Sequence, residues 1–99
     1  MGCSPIGVGS DGGGSVRIPA NYCGLYGVRP TGKRFTLHGH RPPSSYTPRH
    51  IFGCVGPLAK SVRDCERVLE ALQNRNLLSK GDALLPALTW NTETVQDWS

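Results

Sequence analysis

The residue pattern predicts an α/β fold, on three observations. Leu25 to Arg29 alternates weakly between apolar and polar residues and stops at Pro30, as a short strand does. Cys54 to Ala59 forms another short extended segment. From about Ser61 to Gln73, residues Val62, Cys65, Val68, Leu69 and Leu72 recur at helical spacing on one face, which reads as a core-facing stripe.

Taken in chain order, residues 1–15 read as loop with a short extended piece at Ile6 to Val8. A short helix is expected from Ser15 to Tyr22, with Pro19 acceptable only near its first turn, because proline lacks the N–H a later turn needs. The strand at Leu25 to Arg29 follows. Residues 39–50 hold Pro42-Pro43 and paired serines and read as loop. The extended segment at residues 54–59 leads into the helix of residues 61–73, where Ser61 and Asp64 form an acidic version of a capping box. Beyond it, Leu84-Leu85-Pro86 and both tryptophans sit in a weakly patterned tail.

Composition sets limits. The 99 residues make at most one small domain, only 37% hydrophobic, with 13 glycines and 8 prolines. Chains of this size bury a small share of their surface, and the Gly and Pro content adds conformational entropy cost without adding core. The net charge of +4 is uneven: the first sixty residues carry +6 and the remainder −2. A basic half can attract phosphates, but no aromatic-interleaved RNA motif or reading helix is present, so no nucleic-acid partner is expected. No run is long enough to span a membrane. The four cysteines, at intervals of 20, 31 and 11, include no C-x-x-C pair, and no signal peptide precedes them. They read as buried or incidental thiols in a reducing, cytoplasmic setting.

The chemistry concentrates in Gly9-Ser10-Asp11-Gly12-Gly13-Gly14-Ser15-Val16-Arg17-Ile18-Pro19-Ala20. Glycine permits positive φ and close approach, so consecutive glycines can aim successive N–H groups into one concavity that suits a developing negative charge. A serine closing such a loop is placed to attack a carbonyl, with the donors for the resulting oxyanion as its own chain neighbours. A flexible Gly/Ser linker would share the composition. Asp11 ahead of the glycines and Val16-Arg17-Ile18-Pro19-Ala20 after them argue against a linker, which needs none of these.

These residues, with Cys23-Gly24-Leu25-Tyr26-Gly27-Val28-Arg29-Pro30-Thr31, resemble the core of the amidase signature family. Val55-Gly56-Pro57-Leu58-Ala59-Lys60-Ser61-Val62-Arg63-Asp64 is similar to that family's downstream block, and Lys33-Arg34 after Thr31 points to its acetamidase and fatty-acid-amide-hydrolase branch. The resemblance spans roughly residues 6–90. It implies a mixed β-sheet core covered by helices in a domain several times longer than this chain. The whole of residues 1–99 is then expected to be a partial domain: a motif core at 6–35, a Pro/Gly-rich loop at 39–50, a strand and helix at 54–73, and a tail at 74–99 that wraps a surface only partly present.

The resemblance also implies roles. Relatives hydrolyse carboxylic amides with a nucleophilic serine, a second serine on a cis peptide bond and a lysine. The nucleophile maps onto Ser15, and the oxyanion-hole donors onto the backbone N–H groups of Gly12, Gly13, Gly14 and Ser15. Asp11 and Arg17 match framework positions that organise the loop. Position 12 usually holds a larger apolar residue, so Gly12 departs from the pattern, keeping the donor but giving up rigidity. Cys23 and Cys65 stand where relatives carry small or apolar residues. The second serine, in a Gly-Ser-Ser-Gly-Gly block about two dozen residues ahead of the nucleophile, and the lysine still further upstream have no counterpart here. A serine hydroxyl is a weak nucleophile without a positioned base. The chain is therefore expected to be a truncated piece, inactive alone, acting on a small-molecule amide only when completed, and needing no cofactor or metal. The alternative is a non-catalytic remnant serving as a binding or assembly module that pairs with other chains through exposed strand edges. An unrelated small basic binding protein is set aside by the length of the motif match.

Other residues of suitable type carry simpler readings. His38, His40 and His50 fall in a loop segment without metal-ligand spacing, Ser4 is assigned no role, Ser10 is too close along the chain to be the bridging serine, and Lys33 and Lys60 read as surface charges. Gly7-x-Gly9-x-x-Gly12 matches a dinucleotide-binding pattern but lacks a preceding strand, and Gly13-Gly14 would weaken a following helix. Gly27 to Lys33 begins like a phosphate-binding loop, but Arg34 stands where its hydroxyl residue belongs.

Overall fold

A computed structural model describes residues 2–37, 39–40, 52–74 and 90–91. Most of the expected Pro/Gly-rich loop and tail lies outside them, as do His38 and His50. Five elements follow in order: β1 (Ile6–Asp11), α1 (Arg17–Tyr22), β2 (Tyr26–Gly27), β3 (Cys54–Ala59) and α2 (Val62–Asn74). The α/β class holds. In this part of the fold the three strands form one sheet in the order β1-β3-β2, with both pairings antiparallel.

Strand β3 is the centre of the sheet. On one side it runs from Ile6↔Ala59 to Asp11↔Cys54 against β1, and on the other it pairs Tyr26↔Ala59 and Gly27↔Leu58 against β2. Strand β1 is longer than the Ile6 to Val8 piece expected: residues 9–11 continue the ladder. Gly7 and Gly9 depress local strand preference, and pairing with β3 overrides it. Strand β2 is shorter than the expected Leu25 to Arg29. The Val28 N–H still donates to the Pro57 carbonyl at 3.1 Å, but proline has no N–H to return, so the ladder ends at Gly27.

Helix α1 begins at Arg17, not Ser15, and Pro19 falls in its first turn, where the missing N–H costs nothing. Its end is closed by Gly24 at φ +64°, with Leu25 N–H donating to the Ala20 carbonyl at 2.8 Å and Gly24 N–H to the Asn21 carbonyl at 3.4 Å. That pair of bonds is a Schellman cap, which leaves the chain aimed into β2. Val16 and Ala20 are buried, and a side chain at Gly27 would meet both of them, so α1 lies directly on β2.

Helix α2 matches its expectation closely. The Asp64 N–H donates to Ser61 Oγ at 3.1 Å, and Ser61 Oγ donates to the Asp64 carboxylate at 2.7 Å, with the acid in the first turn where the helix dipole favours it. Cys65 and Leu69 are buried, with the Cys65 thiol donating to the Tyr26 carbonyl at 3.5 Å. Val68 and Leu72 are half-buried. Val62 departs from the core-facing reading: at the margin of the stripe in the first turn, it is exposed.

Candidate active site

The site is built around Asp11, the last residue of β1 and fully buried. Its Oδ1 accepts hydrogen bonds from the Gly14 N–H at 2.7 Å and Arg17 Nη2 at 3.1 Å. Its Oδ2 accepts from the Val16 N–H at 3.2 Å, the Arg17 N–H at 3.4 Å and Arg17 Nε at 3.0 Å. The amides immediately before and after Ser15 are thus tied to opposite oxygens of one carboxylate. Such a carboxylate can be buried because its acceptor sites are filled and its charge is opposed.

Electrostatics follow the contacts. The Arg17 guanidinium holds the Asp11 carboxyl well below the usual carboxylate range; the amides of Gly14, Val16 and Arg17 add to that effect, and burial opposes it. The same hydrogen bond raises Arg17, whose side chain is 51% exposed, so one face of the pair stays in water. Asp11 and Arg17, expected as framework residues, meet directly.

The loop turns inward once. Gly14 has φ +124°, and a side chain there would collide with Ile18. The conformation aims its N–H at Asp11, so this amide, expected among the oxyanion donors, is committed to the framework instead. Gly12, Gly13 and Ser15 are exposed. Ser15 therefore sits on the surface at the foot of α1, with a buried, hydrogen-bonded residue on each side.

The other described residues weighed from the sequence lie elsewhere. Ser4 Oγ donates to the Ile6 carbonyl at 2.6 Å, and Ser10 lies within β1 opposite Val55. Lys33 places its Nζ 4.3 Å from the centre of the Phe52 ring, in a turn closed by Arg34 N–H to the Thr31 carbonyl at 3.1 Å. Lys60 is exposed, and the His40 N–H donates to the Leu37 carbonyl at 2.9 Å. Gly7 and Gly9 of the dinucleotide-like pattern lie within β1 itself instead of in a turn after a strand, so that pattern has the wrong geometry. Among the described residues no group of three or more His, Cys, Asp or Glu could hold a metal ion, and no helix is long and apolar enough to cross a membrane.

Two contributors carried no assigned role in the sequence reading. The Cys54 thiol donates to the Asp11 carbonyl at 3.5 Å, and Arg29 Nε lies 3.9 Å from Asp11 Oδ1. Arg29 stands inside the motif, but nothing in its spacing marks it as a partner of Asp11. Cys54 is 43 residues away, and only the strand pairing brings it near.

The small sheet, capped helix and framed glycine loop are those of a mixed α/β protein. The family profile described as Amidase matches residues 1–96, and the chain belongs to that family. Fatty-acid amide hydrolase 1 of Sus scrofa is 37% identical over 92 residues, which is 93% of this chain and 16% of that protein. Indoleacetamide hydrolase of Pseudomonas syringae pv. syringae is 42% identical over 74 residues, 75% of this chain and 16% of that one. A solved structure of fatty acid amide hydrolase superposes with a TM-score of 0.68 at 34% identity, covering 87% of this chain and 15% of that chain. The chain thus spans a small part of the length of the relatives it matches.

Proposed function

We propose that this chain carries the nucleophile loop of a hydrolase that cleaves the carbon–nitrogen bond of carboxylic amides. Ser15 Oγ attacks the amide carbonyl and gives its proton to a base. The carbonyl oxygen takes up the negative charge and is held by the N–H groups of Gly12, Gly13 and Ser15. Collapse of that intermediate expels the amine, which takes up a proton, and water then releases the carboxylate from the acyl-serine. Asp11 and Arg17 do no chemistry. They hold the backbone so that the donors are in place before charge develops.

The observation that carries this reading is the bracketing of Ser15 by two amides bonded to one buried carboxylate. A linker has no use for that expense in burial and hydrogen bonding. Family membership supplies the reaction class, since relatives such as fatty-acid amide hydrolase 1 and indoleacetamide hydrolase bear the names of amide hydrolases. The base is assigned to the second serine and lysine of the resemblance, supplied by sequence beyond these 99 residues, so the chain alone turns over no amide. The substrate is a small-molecule amide, and no cofactor takes part.

A fluorophosphonate serine probe tests the assignment. The chain completed with the upstream portion of a related amidase is expected to label at Ser15 and to hydrolyse a simple amide, and Ser15→Ala is expected to abolish both. The unaided chain is expected to label at least a thousandfold more slowly, the scale of losing a general base and its relay. Labelling of the completed protein that survives in Ser15→Ala would refute the nucleophile.

A further inference from the structure

We infer that Arg29 is a positioning residue for the Ser15 loop, joining Asp11, whose carboxylate frames Ser15, to the backbone that leads into β3. Its function rests on the reading of Ser15 as nucleophile, but its placement does not.

Arg29 reaches in two directions. Its Nε lies 3.9 Å from Asp11 Oδ1, the oxygen that also receives the Gly14 N–H, and its Nη2 donates to the Phe52 carbonyl at 2.8 Å. Phe52 precedes Cys54 by two residues, and Cys54 is both the register partner of Asp11 and the donor to its carbonyl. One guanidinium therefore joins β1 to the segment that leads into β3, beside the Asp11↔Cys54 end of the ladder. Phe52 is held further by Gly32, which is so close to its Cβ that an added methyl would clash.

Charge adds a second role. The groups facing the Asp11 carboxylate are Arg17 from α1 and Arg29 from the segment after β2, with the Cys54 thiol of β3 at the Asp11 carbonyl. Two guanidinium ions against one carboxylate leave one positive charge beneath the loop. Arg17 is half in solvent, whereas Arg29 is 25% exposed, so the less screened of the two is the one outside the Asp11–Arg17 pair. A net positive charge at the carboxylate that frames Ser15 favours an oxyanion held by the loop.

The test reads the loop directly, in the full chain, by NMR. In Arg29→Gln, amide exchange at Gly14 and Val16 is expected to rise on the order of tenfold relative to amides of α2, and the Asp11 carboxyl is expected to titrate at higher pH. Arg29→Lys keeps the charge without the planar fork, so it is expected to restore the Asp11 titration while leaving Gly14 and Val16 exchange between the two. Lys33→Gln removes a nearby charge that faces only the Phe52 ring, and is expected to change neither. Unchanged Gly14 and Val16 exchange in Arg29→Gln overturns the inference, as does an equal effect from Lys33→Gln. Should Arg29→Gln fail to fold, Arg29→Lys decides alone: faster exchange confined to Gly14 and Val16 supports the assignment, and wild-type exchange there defeats it. Fluorophosphonate labelling of Ser15 in the completed protein tests the nucleophile separately, because the exchange readout does not require Ser15 to react.

Discussion

Asp11 has no exposure to solvent, yet every strong contact around it favours the ionised form: two guanidinium groups and three backbone amides surround its two oxygens. The sign of the pH effect follows. A folded-state carboxyl held below its ordinary value of 3.8 contributes stability that is fully present above that value and is lost as pH falls through it toward the depressed folded value. The urea midpoint of the chain is expected to be steady from neutral pH to about pH 5 and to drop steeply between about pH 4 and 2. In Asp11→Asn that acid drop is expected to be shallower, starting from a protein already weaker by about 2 kcal/mol, below the cost of breaking a fully buried pair because Arg17 is half hydrated. An acid limb identical in both proteins would show that the carboxylate is not the charge that matters. At this scale the sequence was informative about identity and poor about direction. The order Asp, three glycines, serine and Arg17 named the local participants but not Arg29 or Cys54, and the inward turn of Gly14 depends on where the carboxylate sits, which is set by a strand partner far along the chain.

The elements differ in how far local sequence determines them. Helix α2 was legible because its apolar stripe and its Ser61 cap are both local, and the structure departs only at Val62. Strand β1 was half legible, since glycine-rich residues 7–12 look like loop until a partner strand is supplied. The short β2 has its cause in Pro57 of the neighbouring strand, which no reading of residues 25–29 could show. Strand β3 also carries a steric requirement: at Gly56 an added Cβ would run into the Val28 carbonyl oxygen, which is backbone and cannot swing away. Gly56→Ala is expected to cost about 3 kcal/mol in chemical denaturation, the upper end for overpacking a tight site, by forcing β2 and the Arg29 segment off the sheet. Denaturation unchanged within about 0.5 kcal/mol would mean that the two segments are not held together this closely.

For the molecule as a whole, the resemblance was recoverable from the motif, whereas the antiparallel order β1-β3-β2 was not, because alternation alone gives neither partner nor direction. The thiols offer a direct check of that arrangement. Cys3 and Cys23 are exposed, while Cys54 and Cys65 are buried, and burial pushes both of these thiols up. Alkylation at mild alkaline pH is expected to modify Cys3 and Cys23 first, with Cys54 and Cys65 following only in denaturant, as resolved by peptide mass spectrometry. Modification of all four at one rate would mean that the isolated chain does not hold this sheet. The central position of β3 has a consequence for how the chain acquires its shape during synthesis. The Asp11–Arg17 pairing closes a loop of a few residues and can form early, but the ladder that seats Asp11 cannot begin before Cys54 to Ala59 has been made. Contacts so distant in sequence form slowly, and an unpaired β1 stays available to wrong partners in the interval. The ribosome thus finishes the glycine loop long before the strand that gives it its form emerges.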